Sequence, residues 1–121
     1  MKQSLMVLLL LGLVGISGSA RAHDEAQGPQ TITGEVVDLA CYLGHGASGS
    51  GHAACAQKCI ASGLPVGIKT KDTLYIAVAD GHGTANSQLA SLASKQVTVE
   101  GDVTERDEVH MITIKKVKVT G

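Results

Sequence analysis

Three cysteines and one histidine lie close together in the sequence, at a spacing that could bring them into one chemical site. The spacing is Cys-x13-Cys-x3-Cys, formed by Cys41, Cys55 and Cys59, and His52 precedes Cys55 by three residues. On an α-helix, residues three, four and seven positions apart lie on one face, so His52, Cys55 and Cys59 should form one stripe. Thiolate and imidazole are ligands that suit Zn(II) and Cu(I). The pattern therefore predicts a Cu or Zn site in which Cys41 joins this stripe.

The same three cysteines also permit a disulfide. Cysteines of exported proteins usually pair, and an odd number leaves one thiol over. A bridge from Cys41 to Cys55 or to Cys59 is easier than one between Cys55 and Cys59, which would be strained on a regular helix. Two metal-free alternatives therefore stay open: a disulfide-stapled interaction module and a thiol-redox protein. The sequence has no C-x-x-C pair, so a thioredoxin-type dithiol is not indicated.

Other histidines extend the set of possible metal ligands. His45 and His82 lie in glycine-rich segments, and His23 would become the free N-terminal residue if residues 1–22 were removed. Each of these three is a possible extra ligand, because imidazole and a terminal amine both bind copper. His110 lies in an alternating strand pattern and is expected to face outward as part of the scaffold.

The sequence carries no recognisable catalytic motif. Glu35 and Asp38, on the first predicted strand, are expected to face solvent or to cap a turn rather than to form a catalytic carboxylate pair. No serine-nucleophile motif, phosphate-binding loop or dinucleotide fingerprint is present. We therefore assign no catalytic residue and expect a binding protein rather than an enzyme.

The N-terminus has the pattern of a secretory signal peptide covering residues 1–22. It begins with the positive charge of Lys2, continues as an apolar run of about a dozen residues, and ends in the cleavage pattern Ala20-Arg21-Ala22. The run is too short to span a bilayer, so no stable membrane anchor is expected after cleavage. These features predict a protein of the periplasm or a secreted protein.

Composition narrows the partners of the mature chain. Removal of residues 1–22 leaves 99 residues, with eight basic and eleven acidic side chains and a formal net charge of −3. No basic patch stands out, which disfavours nucleic acid as a partner. The expected partner is a metal ion or another periplasmic protein. Because the chain has no Phe and no Trp, its core must consist of Val, Ile, Leu and Ala.

The elements around the cysteines must position them. Residues 23–30 are predicted to be a flexible arm and residues 31–121 to form one domain. Alternating β-branched residues predict strands at 31–39, 66–69, 73–79, 96–105 and 109–120, and short helices are predicted at 52–62 and 86–93. The expected fold is mainly β with short helices. It is a small five-stranded OB-like β-barrel, with a Cys/His helical insert at 40–64 between strands 1 and 2.

Single residues should mark the ends and irregularities of these elements. Ser50 is a candidate N-cap of the first helix, and Gly63 stands where a left-handed residue would end it. Gly34, within the first strand, suggests a bulge or a tight bend.

Three segments also carry a likeness to known proteins. They read G-E-V-V-D-L-A-C-Y (34–42), G-H-A-A-C-A-Q-K-C (51–59) and G-L-P-V-G (63–67). In these segments the chain resembles small exported bacterial OB-fold-like proteins of uncharacterised function, and the C-x13-C-x3-C spacing is the specific part. Residues 95–119 resemble the last hairpin of bacterial OB-like domains. The resemblance implies a periplasmic location and a shared cysteine site, and it implies no particular activity.

Overall fold

The computed structural model of the chain describes residues 27–120. The predicted signal peptide (1–22), His23 and residues 24–26 of the predicted arm lie outside the described residues. The described part consists of five strands and three short helices. The strands are β1 (Gly28–Asp38), β2 (Val66–Lys69), β3 (Leu74–Ala79), β4 (Gln96–Arg106) and β5 (Val109–Val119), and the helices are α1 (Leu39–His45), α2 (Ala53–Ala61) and α3 (Asn86–Leu89).

The five strands close into a barrel. Their order is β1-β2-β3-β5-β4, and β4 pairs back onto β1. Only β3 and β5 are parallel, and the other neighbours are antiparallel. α1 and α2 lie between β1 and β2, and α3 lies between β3 and β4. The predicted OB-like barrel with a Cys- and His-bearing helical insert is therefore confirmed.

β1 begins earlier than the sequence pattern predicted. Gly28 pairs with Val103 of β4, so residues 28–30 belong to the barrel rather than to the flexible arm. The Gly28-Pro29 pair suggested an arm, but a proline is tolerated at the start of a strand, where no ladder hydrogen bond from its nitrogen is needed. At its other end β1 stops at Asp38, one residue before the predicted end.

A glycine in β1 allows this strand to lie close to β2. At Gly34 a Cβ atom would lie 2.5 Å from the carbonyl oxygen of Lys69 in β2. Of the bulge or tight bend predicted at Gly34, the bulge does not form, because the β1–β4 ladder is regular at this residue, and close packing on Lys69 explains the glycine. The register shift in the sheet lies instead between Glu100 and Gly101, where β4 faces β5.

The barrel interior is aliphatic, as the composition requires. Alternate residues of each strand face inward, and the most buried of them are Val36, Ile68, Val97, Val99 and Ile112. α2 covers one end of the barrel by burying Ala56 and Ile60 against this core. The position of α2 is therefore fixed by apolar packing, independently of its cysteines.

The C-terminal end of α2 is fixed by hydrogen bonds. Gly63 adopts the predicted left-handed conformation, with φ of 103°, and its amide donates to the carbonyl of Ile60 (3.0 Å). The amide of Leu64 donates to the carbonyl of Cys59 (3.1 Å), which completes a Schellman motif. The Asn86 side chain of α3 adds hydrogen bonds to the carbonyls of Ile60 (2.6 Å) and Leu64 (2.7 Å). These bonds hold the half of α2 that carries Cys59.

Candidate metal centre

α1 is a helix that the sequence pattern did not predict, and it carries Cys41. Asp38 is its N-cap, and one carboxylate oxygen, Oδ1, accepts from the backbone amides of Ala40 (3.1 Å) and Cys41 (3.5 Å). At its other end Gly46 is left-handed, with φ of 69°. Cys41 therefore lies in the first turn of a helix rather than at a strand end. A helix this short is marginal alone, so packing and capping must supply its stability.

Packing supports the start of α1. Leu39 is 5% exposed and lies over Gly67 of β2, where a Cβ atom would be 2.7 Å from the Leu39 side chain. The backbone amide of Leu39 also donates to the carbonyl of Pro65 (2.9 Å). These contacts hold Cys41 at the end of the barrel that α2 covers.

The glycine-rich segment between the two helices is folded back onto β1. The carboxylate of Glu35 accepts a hydrogen bond from the backbone amide of Gly49. Residues Ser50–His52 then form one 3₁₀ turn, after which α2 begins. Ser50 is not the N-cap that the pattern predicted, because His52 occupies that position and no side chain caps α2. The return of the chain at Gly49 directs α2 toward Cys41.

This arrangement brings all three cysteines together. The Sγ atoms of Cys41, Cys55 and Cys59 lie within 4.8 Å of one another. Cys55 is exposed, whereas Cys41 and Cys59 are partly buried. All three are free thiols, so the disulfide that the sequence left open between Cys41, Cys55 or Cys59 is not a feature of this structure. Three convergent thiols form a cluster that can hold a metal ion.

A second group of possible ligands shares Cys41 with the first. It consists of Asp38, Cys41 and His52, whose ligand atoms also lie within 4.8 Å of one another. The predicted single stripe of His52, Cys55 and Cys59 does not form, because His52 ends a 3₁₀ turn and lies outside the regular helix. His52 is instead directed at Asp38, with 3.8 Å between its Nε2 atom and Oδ2 of Asp38.

Asp38 is the residue of the site that the sequence interpretation missed. Its expected capping role is confirmed, but the residue is 1% exposed and does not face solvent. The available signal was a helix N-cap residue placed three positions before a cysteine. That signal could not reveal that Oδ2 is buried without a hydrogen-bond partner among the described residues, as is Nε2 of His52.

The negative charge of Asp38 contributes to a raised pKa at Cys41 and at Cys59. The Asp38 carboxylate, which lies beside the thiol, is the largest cause that raises the pKa of Cys41 to about 12, followed by desolvation. Desolvation and then the charge of Asp38 raise the pKa of Cys59. A cation in the cluster would oppose both effects, because a bound metal ion stabilises the thiolate.

The same electrostatics argue against a cysteine nucleophile. Cys41, His52 and Asp38 are of the types that serve as nucleophile, base and acidic residue in cysteine catalysis. An activated cysteine, however, requires a lowered pKa. The carboxylate lies against the thiol and has the opposite effect on Cys41. The raised pKa of Cys41 therefore gives no support to a cysteine nucleophile in this group.

The remaining histidines lie elsewhere. His45 is exposed in the last turn of α1, and His82 is exposed in the loop after β3, with φ of 65°. His110 is partly buried, with Nδ1 3.4 Å from a carboxylate oxygen of Glu105 and its ring edge-on to Tyr75. Within residues 27–120, none of these three histidines belongs to a cluster of three or more potential metal ligands.

Comparison with known proteins adds no relative. No protein-family model, no curated protein and no solved structure matches the chain. The resemblance to small exported OB-fold-like proteins therefore stays a prediction. Among the described residues, no helix has both the length and the apolar character needed to cross a bilayer.

Proposed function

We propose that this protein is an exported binding protein for a soft transition metal ion, Cu(I) or Zn(II), which it holds through Cys41, Cys55 and Cys59. The observation that carries the proposal is the convergence of three free thiols, with Sγ atoms within 4.8 Å of one another. No other residue type forms so soft a donor set. The predicted signal peptide supports export to the periplasm, where a metal-binding protein would meet its ion.

The separation of the sulfur atoms suits a metal ion. With Zn–S bonds of about 2.3 Å, thiolates around one ion lie about 4 Å apart. Small side-chain rotations would bring the three Sγ atoms from their present positions to that separation. The helices that carry them are already held in place by apolar packing and by hydrogen bonds at the end of α2. The backbone therefore needs little rearrangement on binding.

Unequal exposure of the three thiols favours a carrier over a purely structural site. Cys55 is exposed, so an incoming ligand from a partner protein can approach the ion on that side. Cys41 and Cys59 are partly buried and would keep the ion bound during exchange. The partner class that fits is a periplasmic protein that gives or receives the same ion.

The test is a metal and thiol assay on protein recovered from the periplasm. We expect three free thiols after metal removal, one Cu(I) or Zn(II) bound per thiol cluster, and competition with a chromogenic chelator. Cys41→Ser, Cys55→Ser and Cys59→Ser should each weaken metal binding. The control is Ala54→Ser, which adds an exposed hydroxyl to α2 and should not weaken it. Recovery with one free thiol, one disulfide and no metal affinity would instead favour the stapled or thiol-redox protein.

A further inference from the structure

Two buried atoms beside the thiol cluster have no partner. They are Oδ2 of Asp38 and Nε2 of His52, which have no hydrogen bond within the described residues and stand 3.8 Å apart. That distance is too long for a hydrogen bond between them. Leaving buried polar atoms unsatisfied is costly, so their placement requires an explanation. A metal ion bound to both atoms would satisfy them.

Two hydrogen bonds hold the carboxylate of Asp38 in one orientation. Its Oδ1 atom is occupied by the amides of Ala40 and Cys41 at the start of α1. Capping therefore fixes the carboxylate and leaves Oδ2 without a bond to the helix, 3.8 Å from Nε2 of His52. The side chain of Asp38 is fully buried, so solvent does not compete for that oxygen.

Cys41 lies between the two groups of ligands. Its Sγ atom belongs both to the three-thiol cluster and to the group formed with Asp38 and His52. A thiolate has enough lone pairs to bind two metal ions at once. Cys41 is thus placed to bridge an ion among the thiols and an ion between Asp38 and His52.

Charge also favours two ions over one. Three thiolates and the Asp38 carboxylate supply four negative ligand groups in a partly buried region. A single Cu(I) would leave three of these four charges uncompensated and a single Zn(II) would leave two, and burial makes uncompensated charge costly. One Cu(I) and one Zn(II) together would compensate three of the four.

We propose that Asp38, Cys41 and His52 bind a second metal ion, next to the ion of the three-thiol cluster and bridged to it by the Cys41 thiolate. This inference rests on the proposed function, because the second ion shares a ligand with the first. The oxygen, nitrogen and sulfur donors suit a borderline divalent ion such as Zn(II), whereas the three thiolates suit Cu(I). The complete centre is then a mixed pair of one soft and one borderline ion.

Sequential loading tests this inference. Metal-free, reduced protein receives one equivalent of Cu(I) without oxygen and then excess Zn(II), and native mass spectrometry counts the bound ions. We expect one copper and one zinc per chain. His52→Ala and Asp38→Asn should keep the copper and weaken zinc binding by at least about 10–100-fold, the loss typical of removing even an indirect metal contact. Asn at position 38 retains the cap of α1, and circular dichroism checks that each variant folds.

The outcomes separate the two proposals. His45→Ala removes an exposed histidine of α1 outside both groups and should leave both ions bound. Copper binding with no zinc in the unaltered protein would overturn the second site and leave the proposed function intact. The same holds if a single ion binds and His52→Ala weakens it, since Asp38 and His52 would then complete one site. Failure to bind either ion would overturn both.

Discussion

The backbone amide of Gly49 donates a hydrogen bond to the carboxylate of Glu35, which attaches the glycine-rich segment between α1 and α2 to the barrel. The carboxylate belongs to β1, and the amide belongs to the glycine-rich segment that leads from α1 to α2. Gly46 and Gly49 both have positive φ, 69° and 81°. Because glycine adopts positive and negative φ about equally well, the segment does not select one path by itself. The bond therefore selects the path by which His52 and α2 return to Cys41.

Loss of that bond should loosen the metal site. We expect Glu35→Ala to lower the free energy of unfolding of the metal-free protein by about 1 kcal/mol. Affinity for Cu(I) or Zn(II) should fall about tenfold, as for other residues that orient ligands without touching the ion. Urea unfolding and chelator competition measure the two quantities. Glu100→Ala, which removes an exposed pairing with Lys116 in the same sheet, is the matched control and should change neither appreciably. Unchanged affinity in Glu35→Ala would refute the positioning role.

Thiol reactivity should follow the order of exposure and pKa. In metal-free, reduced protein, exposed Cys55 should react with iodoacetamide first, and Cys41 last, because its pKa is raised to about 12. Asp38→Asn removes the negative charge that favours the protonated thiol, so labelling of Cys41 should become faster. Peptide mass spectrometry after timed labelling gives the rate at each cysteine. Equal rates for Cys41 in the two proteins would contradict the role of the carboxylate.

A surface ion pair predicts a weak pH dependence of stability. The Lys115 ammonium, 2.9 Å from Asp80, lowers the pKa of that carboxyl below its ordinary value of 3.8. A lowered folded-state pKa contributes stability above the ordinary value, and this contribution is lost as the pH falls through the folded-state pKa. The effect should be small, since both side chains are largely exposed. In urea unfolding, the advantage of the unaltered protein over Asp80→Asn should disappear in acid, and an advantage that grew in acid would contradict the assignment.

The apolar face of α2 should make a large contribution to the stability of the domain. Ile60 is fully buried, so Ile60→Ala should lower the free energy of unfolding by about 2–5 kcal/mol. Leu43→Ala is the control, because Leu43 is 70% exposed and should change stability by less than about 0.5 kcal/mol. Added metal should recover part of the loss in Ile60→Ala, since a ligand that binds only the folded state stabilises it. A small effect at Ile60 would mean that α2 does not complete the core.

The sequence was sufficient to predict the barrel. Alternation in residues 96–105 and 109–120 identified β4 and β5, and the β-branched residues of 66–69 and 73–79 identified β2 and β3. Gly63 marked the end of α2, because a left-handed residue leaves a clear signature. These predictions succeeded because each depends on a local pattern that the tertiary structure reinforces.

The sequence was less informative about the site. α1 contains Gly44 and ends at the C-cap Gly46, and its stability comes from Asp38 and Leu39 rather than from helix propensity. The burial of Asp38 results from the packing of α1 beside α2, which no local pattern records. The direction of His52 depends on the 3₁₀ turn that precedes α2. The convergence of the three cysteines was therefore predictable, whereas the position of Asp38 beside Cys41 and His52 was not.

The paired residues Asp38 and Val66 have a further consequence for the insert between them. They face each other across β1 and β2, so the sheet itself holds the two ends of the 39–65 segment together. Barrel formation therefore offsets the entropy cost of closing that ring, and no bound ion is needed for this. Within such a closed ring, doubling the length of a flexible stretch costs only about 0.6 kcal/mol. Residues 46–49 are accordingly a place where the chain can lengthen. The sequence spacing between Cys41 and Cys55 can change there without disturbing the register of the strands.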